Sequence, residues 1–278
     1  VINNLEFDHG DIFNNLSDIQ KQFHHLIRMV PSNGLILSPA NEESITETLA
    51  MGCWSNTEFS QAEQELATGW QVEKLNSYGS EFIVKFEGKT QGTVNWGLIG
   101  DFNIDNGVMA IAAARHAGVP ANVAIEALAQ FVNTKRRFEL RGIVNNISVY
   151  DDFAHHPTAI AKTLAGVRAK IASQVVPGRI LAVLEPRSNT MKSGAHKASL
   201  PQSLVEADSV FIYQDEKVAW SMSDLINQCQ SPCQIEDNIE QLVDHICQQA
   251  QAGDIIVVMS NGGFGGIPVS YNHLRAHE

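Results

Sequence analysis

Two spacings of apolar residues alternate along the chain, and they predict helices and strands in turn. Between Leu16 and Val30 apolar residues recur every three or four positions, which predicts an amphipathic helix that ends before Pro31. The strand GLILS follows directly. The segment EFIVKFEGKTQGTVNWG predicts two strands joined by a turn at residues 87–89, because β-branched and aromatic residues flank a short Gly-containing connection.

The rest of the chain alternates more regularly. An Ala-rich helix from Asn103 to Gly118 and the helix NVAIEALAQFV come first. After residue 134 the strands ISVY, RILAVL, SVFIY and DIIVVMS alternate with helices predicted at 158–172, 200–206 and 239–251. Strands that alternate with helices favour a mostly parallel sheet. We therefore expect an α/β fold with two domains, residues 1–133 and 134–278.

Composition supports a folded protein of ordinary type. The chain has 278 residues, 44% hydrophobic and 18% charged, which suits two domains with their own cores. No apolar run approaches the roughly 18 residues of a membrane-spanning helix, so we expect no membrane partner. Four sparse cysteines predict reduced thiols and a cytoplasmic protein. The start VINNLEFDHG lacks an initiating Met and the layout of a signal peptide, so we expect the sequence to begin inside a domain.

Charge is unevenly distributed along the chain. The formal net charge is −12, which argues against nonspecific nucleic-acid binding. Residues 135–197 nevertheless carry 11 basic and 4 acidic side chains. This local excess predicts a site where anions are held, and the alternative is an ordinary solvated basic face.

Three polar segments follow strands in the second half. They are DDFAHHP after ISVY, EPRSNTMK after RILAVL and NGGFGG after IIVVMS. Ligands of open parallel α/β sheets bind beyond the carboxyl ends of the strands, so we expect these three segments to converge on one cleft.

Each of the three segments has a functional and a structural interpretation. The pairs Asp151–Asp152 and His155–His156 could hold a nucleotide, a metal or a proton, or they could cap the helix that starts near Pro157. The glycines of NGGFGG could let backbone N–H groups approach an anion, or they could form a tight turn.

Cations in the second segment suggest a grip on carboxylate. Arg187 and Lys192 flank Ser188 and Asn189, which gives a forked guanidinium donor and a point charge close together. Ordinary surface cations are the alternative.

Two features of the first half bear on phosphate chemistry. The segment EFDHGD places Glu6, Asp8, His9 and Asp11 within six positions, a density suited to Mg²⁺, although a solvated acidic loop is the alternative. The GKT at residues 88–90 is not a P-loop, because position 83 is Ile and the next element is predicted to be a strand.

Six motifs in order resemble one family. NNLEFDHGDIF, GDFNIDNGVMAIAAARHAGV, KRRFELRG, YDDFAHHPTAI, LEPRSNTMKSG and MSNGGFGGI resemble the central and C-terminal domains of the Mur ligases, nearly from end to end. The resemblance implies a partial central ATPase domain without its P-loop, then a Rossmann-like C-terminal domain. It also implies an N-terminal domain for the UDP-sugar in a full-length chain.

The family's site residues can be carried over position by position, although no catalytic residue is assigned. The resemblance implies a magnesium ligand at His9, adenine contacts at Asn103 and Asn106, nucleotide contacts at Arg137, Asp152 and His155 or His156, and contacts to the incoming peptide at Arg187, Ser188, Asn189, Lys192 and Asn261.

The implied activity is ATP-dependent amide synthesis with Mg²⁺ in peptidoglycan recycling. UDP-N-acetylmuramate is activated as an acyl phosphate, and the amine of L-alanyl-γ-D-glutamyl-meso-diaminopimelate displaces phosphate. Two alternatives stay open, the family's L-alanine-adding ligase and a noncatalytic nucleotide-binding module. Since the sequence has no GxxxxGK[ST] loop, we predict that these 278 residues alone have no ligase activity and only weak ATP affinity.

Overall fold

The computed structural model describes residues 1–61, 69–175 and 178–269. By contacts the chain divides into two compact units, Val1–Val132 and Asn133–Glu278. Among the described residues no helix has the length and apolar character needed to cross a lipid bilayer.

The described part of unit 1 contains four helices and one five-stranded sheet. The helices are α1 Leu16–Met29, α2 Glu43–Ala50, α3 Asp101–His116 and α4 Ala121–Leu128. The strands are β1 Leu35–Pro39, β2 Asn56–Gln61, β3 Trp70–Lys74, β4 Glu81–Phe86 and β5 Lys89–Asn95, in spatial order β1-β2-β3-β4-β5. Strands β1 to β3 are parallel, and β4 and β5 pair antiparallel.

Local sequence explains the first helix and the hairpin. Asn15 begins α1 by accepting a hydrogen bond from the backbone N–H of Asp18, and the helix buries Ile19 and Ile27. The β4–β5 hairpin turns at Glu87 and Gly88, whose φ angles are 49° and 73°, as a two-residue turn between twisted strands requires. The GKT segment therefore belongs to a hairpin, as predicted.

Unit 2 is built on a six-stranded sheet in the described part of the chain. Its strands are β6 Glu139–Val144, β7 Ile147–Asp152, β8 Ile180–Leu184, β9 Ser209–Tyr213, β10 Cys233–Glu236 and β11 Ile255–Met259, in spatial order β10-β9-β8-β11-β7-β6. The helices are α5 Pro157–Ala172, α6 Asn189–Lys192, α7 Leu200–Ser203, α8 Ser223–Gln228 and α9 Ile239–Gln249, followed by a 3₁₀ segment Phe264–Val269. All pairs are parallel except β6–β7, which confirms the mostly parallel sheet.

The order of strands in unit 2 decides where its site lies. β11, the last strand among the described residues, lies between β8 and β7, and every residue of β8 and β11 is buried. Both are short continuous apolar runs, as expected of strands covered on both faces. Consequently three strands that are far apart in sequence end next to one another.

Candidate active site

The three polar segments start side by side at the carboxyl ends of β7, β11 and β8. Met259, the last residue of β11, pairs with Asp152 on one side and with Leu184 on the other. The backbone N–H of Ser260 then donates to the Asp152 carbonyl at 3.1 Å, and that of Glu185 donates to the Met259 carbonyl at 3.0 Å. The three segments therefore start next to one another as predicted, and the ligand cleft between them stays a prediction.

Asp152 ties the segment before β6 to the end of β7. Its Oδ2 accepts from the backbone N–H of Phe138 and its Oδ1 from that of Ala154, both at 2.7 Å. The pKa of Asp152 is raised, because the effect of burial outweighs that of these two hydrogen bonds, which lower the pKa. In the described chain Asp152 therefore organises backbone, and its predicted nucleotide contact stays a prediction.

Arg136 is a site residue that the sequence did not single out. Its Nε lies 3.2 Å from Oδ2 of buried Asp151, and its Nη2 donates to the Ser260 carbonyl at 2.7 Å. Arg137, the predicted residue, is exposed, and its guanidinium carbon lies 5.5 Å from the centre of the Phe153 ring. A buried Asp151 calls for a fixed cation, and Arg136, whose backbone is left-handed (φ 60°), supplies it.

The histidine pair splits into two different roles. The Nδ1 of His155 lies 2.8 Å from the Phe153 carbonyl. His156 is the N-cap of α5, where its Nδ1 accepts from the backbone N–H of Thr158, and its ring centre lies 4.4 Å from that of His196. The helix-capping alternative is therefore confirmed for His156. The contact with His196 also brings the first polar segment against residues that follow the second.

Arg187 rests on the other two segments. Its Nη1 lies 3.8 Å from Oε1 of Glu185, a carboxylate that is only 5% exposed, while about half of the Arg187 side chain is exposed, 50%. The Ser260 hydroxyl donates to Glu185 Oε2 and accepts from the backbone N–H of Gly262. A Cβ at Gly262 would overlap Arg187 Cδ and Nη1, so the guanidinium packs directly on that glycine.

The other predicted acceptor residues are placed differently. Asn261 Oδ1 is buried and accepts no hydrogen bond within the described residues. Ser188 Oγ caps α6 by accepting from the backbone N–H of Met191 at 3.2 Å, and Asn189 is exposed. Lys192 Nζ lies 3.6 Å from a carboxylate oxygen after β9. That carboxylate, Asp215, has a lowered pKa because it accepts from the backbone N–H of Lys217, with lesser help from Lys192.

The glycine segment forms a tight turn. Three successive residues have positive φ angles, 43° at Phe264, 53° at Gly265 and 82° at Gly266. A Cβ at Gly265 would overlap the Ile239 side chain. Gly265 and Gly266 are thus required by the turn itself, as in the structural alternative, and anion binding by NGGFGG stays a prediction.

In unit 1 the two predicted adenine residues lie on one face of α3. Asn103 and Asn106 are three positions apart near the start of the helix. Asn103 Nδ2 donates to the Ile99 carbonyl at 2.7 Å, and Asn106 Oδ1 accepts from Asn3 Nδ2 at 2.6 Å. Their contact with adenine is not tested by these bonds.

The acidic segment EFDHGD does not form a metal site by itself. The His9 side chain is 68% exposed, and its Nε2 lies 4.0 Å from Asp8 Oδ2. Among the described residues, no three or more His, Cys, Asp or Glu side chains are grouped so as to hold a metal. The four side chains Glu6, Asp8, His9 and Asp11 thus do not group as metal ligands on their own in the described residues, and magnesium binding by this segment stays a prediction. The role of His9 implied by resemblance stays a prediction.

Comparison with known sequences identifies the class to which this fold and site belong. The family model of the Mur ligase middle domain matches residues 1–114, and that of the Mur ligase glutamate ligase domain matches residues 136–262. The chain belongs to the Mur ligase family. Mur ligases are ATP-dependent, form carbon–nitrogen bonds and need Mg²⁺ as a general family property.

Individual relatives narrow the comparison. The chain is 50% identical over 267 residues to the UDP-N-acetylmuramate–L-alanyl-γ-D-glutamyl-meso-2,6-diaminoheptandioate ligase of Haemophilus influenzae, with 96% of this chain and 57% of the relative covered. It is 28% identical over 272 residues to a UDP-N-acetylmuramate–L-alanine ligase of Desulfitobacterium hafniense, covering 94% and 59%. The crystal structure of a murein peptide ligase from Psychrobacter arcticus matches with a TM-score of 0.68 at 41% identity, covering 95% and 55%. The chain thus spans little more than half the length of these relatives.

Proposed function

We propose that this chain supplies the central and C-terminal parts of a ligase that joins UDP-N-acetylmuramate to L-alanyl-γ-D-glutamyl-meso-diaminopimelate in the cytoplasm, within peptidoglycan recycling. The observation that carries the proposal is the convergence of three polar segments at adjacent strand ends, with Arg187 half exposed among them. The substrate choice is supported by 50% identity to the peptide-adding relative against 28% to the alanine-adding one.

Arg187 and Asn261 are our candidates for the acceptor peptide. A guanidinium can hold a carboxylate by two parallel hydrogen bonds, and the peptide carries several carboxylates. Asn261 Oδ1 is a buried acceptor without a donor in the described residues, and a peptide N–H or amine would satisfy it. Asn261 directly precedes Gly262, the residue on which the Arg187 guanidinium packs, so we propose that one ligand contacts both side chains.

For the nucleotide side of the reaction, our candidate in unit 2 is Arg137, beside the held residue Arg136. ATP, when bound, supplies the phosphoryl group that activates the donor carboxylate. Arg137 is an exposed cation next to the fixed Arg136–Asp151 pair, which suits it to an anionic ligand. Because the described residues do not form a magnesium site, we derive no step through the metal.

A kinetic comparison of acceptors tests the proposed function. A ligase of the relatives' full length that carries this sequence is assayed for phosphate release with ATP and UDP-N-acetylmuramate, using the tripeptide or L-alanine as acceptor. We expect kcat/KM for the tripeptide to exceed that for L-alanine by at least about 100-fold, as loss of several hydrogen-bonded carboxylates implies.

The outcomes separate the alternatives. Preference for L-alanine contradicts the peptide assignment and favours the alanine-adding ligase. Nucleotide binding without turnover of either acceptor favours the noncatalytic module. The variant Arg187→Ala is expected to raise KM for the tripeptide about 10- to 100-fold, with a smaller change in KM for ATP.

A further inference from the structure

Glu185 is a buried carboxylate at the carboxyl end of β8 to which the reaction assigns no role. It is 5% exposed, it receives a hydrogen bond from the fully buried Ser260 hydroxyl, and its second oxygen faces Arg187 Nη1 at 3.8 Å. A buried carboxylate costs free energy unless it is paired and hydrogen-bonded, so its position calls for an explanation.

We propose that Glu185 and Ser260 are positioning residues that fix the direction of the Arg187 guanidinium for the acceptor carboxylate. Ser260 links the two strand ends, because it accepts from the Gly262 backbone N–H and donates to Glu185. Glu185 then attracts the guanidinium, while the absence of a side chain at Gly262 lets the guanidinium pack closely on the backbone. This proposal rests on the proposed role of Arg187 in holding the acceptor.

The ion pair is loose enough to leave Arg187 available. A separation of 3.8 Å is beyond hydrogen-bond distance, and about half of the side chain, 50%, remains exposed. Glu185 therefore orients the guanidinium without occupying its hydrogen-bonding face. Preorganising a long side chain in this way lowers the entropy lost when ligand binds.

A similar ion pair at the amino ends of β8 and β11 provides a matched control. Asp254 directly precedes β11 and is 4% exposed, and it holds Arg179, which directly precedes β8, through bonds of 3.0 and 2.6 Å. This pair also joins a buried carboxylate to a partly exposed arginine across β8 and β11. It lies at the amino ends of the strands, away from the three polar segments.

The kinetic test uses Glu185→Gln and Ser260→Ala in the full-length ligase, with Asp254→Asn as control. We expect each of the first two variants to raise KM for the tripeptide about 5- to 20-fold, while kcat and KM for ATP stay within about twofold. Asp254→Asn is expected to lower the melting temperature at least as much as Glu185→Gln and Ser260→Ala do. It should leave KM for the tripeptide unchanged. A purely structural role for Glu185 would make the three variants behave alike, which would overturn the proposal.

A double-mutant cycle shows whether Glu185 acts through Arg187. In an Arg187→Ala background, Glu185→Gln should cause no further rise in KM for the tripeptide. A full additional rise would mean that Glu185 affects the acceptor independently, and the proposal would be wrong.

A second readout needs no substrate and separates this proposal from the proposed function. Phenylglyoxal labels accessible arginines, and mass spectrometry measures the labelling rate of Arg187 in this chain. We expect Glu185→Gln and Ser260→Ala to speed labelling of Arg187 about threefold or more, because a nearby carboxylate and restricted motion both slow it. Arg168 serves as the internal reference. Unchanged labelling of Arg187 contradicts the positioning role even if the ligase prefers the tripeptide. Faster labelling supports the positioning role even if the ligase does not prefer the tripeptide.

Discussion

At the scale of single residues, Gly262 and Gly178 both lack room for a side chain, but for different reasons. Gly262 makes room for a site residue, whereas Gly178 makes room for backbone. A Cβ at Gly262 would overlap the end of the flexible Arg187 side chain, whereas one at Gly178 would overlap the backbone carbonyl of Gly253. A side chain can swing away at small cost, but a backbone carbonyl cannot. Gly262→Ala should therefore affect mainly acceptor binding, and Gly178→Ala mainly the stability of the fold.

We predict that Gly262→Ala raises KM for the acceptor about tenfold and lowers the melting temperature by less than about 2 °C. Gly178→Ala should lower it by at least about 4 °C and leave KM unchanged. Thermal unfolding and acceptor kinetics measured on both variants check this. Equal loss of stability in the two would contradict the assignment of Gly262 to the site.

The four cysteines are free, and the pKa values of three of them are shifted. A hydrogen bond from Cys233 lowers the pKa of the Cys229 thiol and raises the pKa of Cys233 itself, whereas burial raises the pKa of Cys247. Since the thiolate is the reactive form, Cys229 should react at lower pH than the other two.

Iodoacetamide labelling followed by mass spectrometry tests this order. The pH midpoint for Cys229 should lie below that for Cys247, and Cys233→Ala should move it upward because the donor is lost. Cys233→Ser keeps a hydroxyl donor and should retain most of the shift. An unchanged midpoint in Cys233→Ala would rule out the thiol pair as its cause.

At the scale of elements, the start of α5 depends on His156. Its Nδ1 accepts a hydrogen bond from the backbone N–H of Thr158 in the first turn of the helix. We predict that His156→Ala lowers hydrogen-exchange protection in the first turn of α5 about fivefold, the effect of losing a cap of about 1 kcal/mol, whereas His156→Asn retains it. If both variants keep full protection, the helix start is held by other contacts.

Strongly periodic elements could be predicted from sequence, and edge elements could not. The helices α1, α3 and α5 and the apolar strands β8 and β11 follow from their spacing. By contrast, β6 carries charges and a register shift between Leu140 and Gly142, and β10 has only four residues. Such edge strands form because a neighbouring strand pairs with them. The local pattern of apolar and polar residues therefore does not predict them.

The same limit applies to the site. The three polar segments could be predicted because they follow apolar strands, and parallel strands share a carboxyl edge. Arg136, Glu185 and Ser260 could not be assigned, because their roles depend on β11 lying between β7 and β8. A search for polar residues that directly follow fully apolar strands would have singled out Glu185 and Ser260.

At the scale of the whole chain, the lack of a phosphate-binding loop in these 278 residues limits the activity that they can have alone. The printed sequence contains no GxxxxGK[ST] loop, and its GKT lies in a hairpin. We predict that the 278-residue chain, mixed with ATP, sugar nucleotide and tripeptide, releases phosphate no faster than a blank, because nothing cradles the β- and γ-phosphates. Robust turnover in that assay would contradict the prediction. Restoring the remaining length of the relatives should restore activity.

The place of β11 in the sheet also governs the order of events during synthesis on the ribosome. β7 and β8 have no pairing with each other, since β11 separates them and is translated about a hundred residues after β7. A nascent chain that stops short of residue 260 would leave two open, apolar strand edges facing one gap. Such an intermediate is prone to aggregate, and translation of β11 removes both exposed edges by filling the gap between β7 and β8.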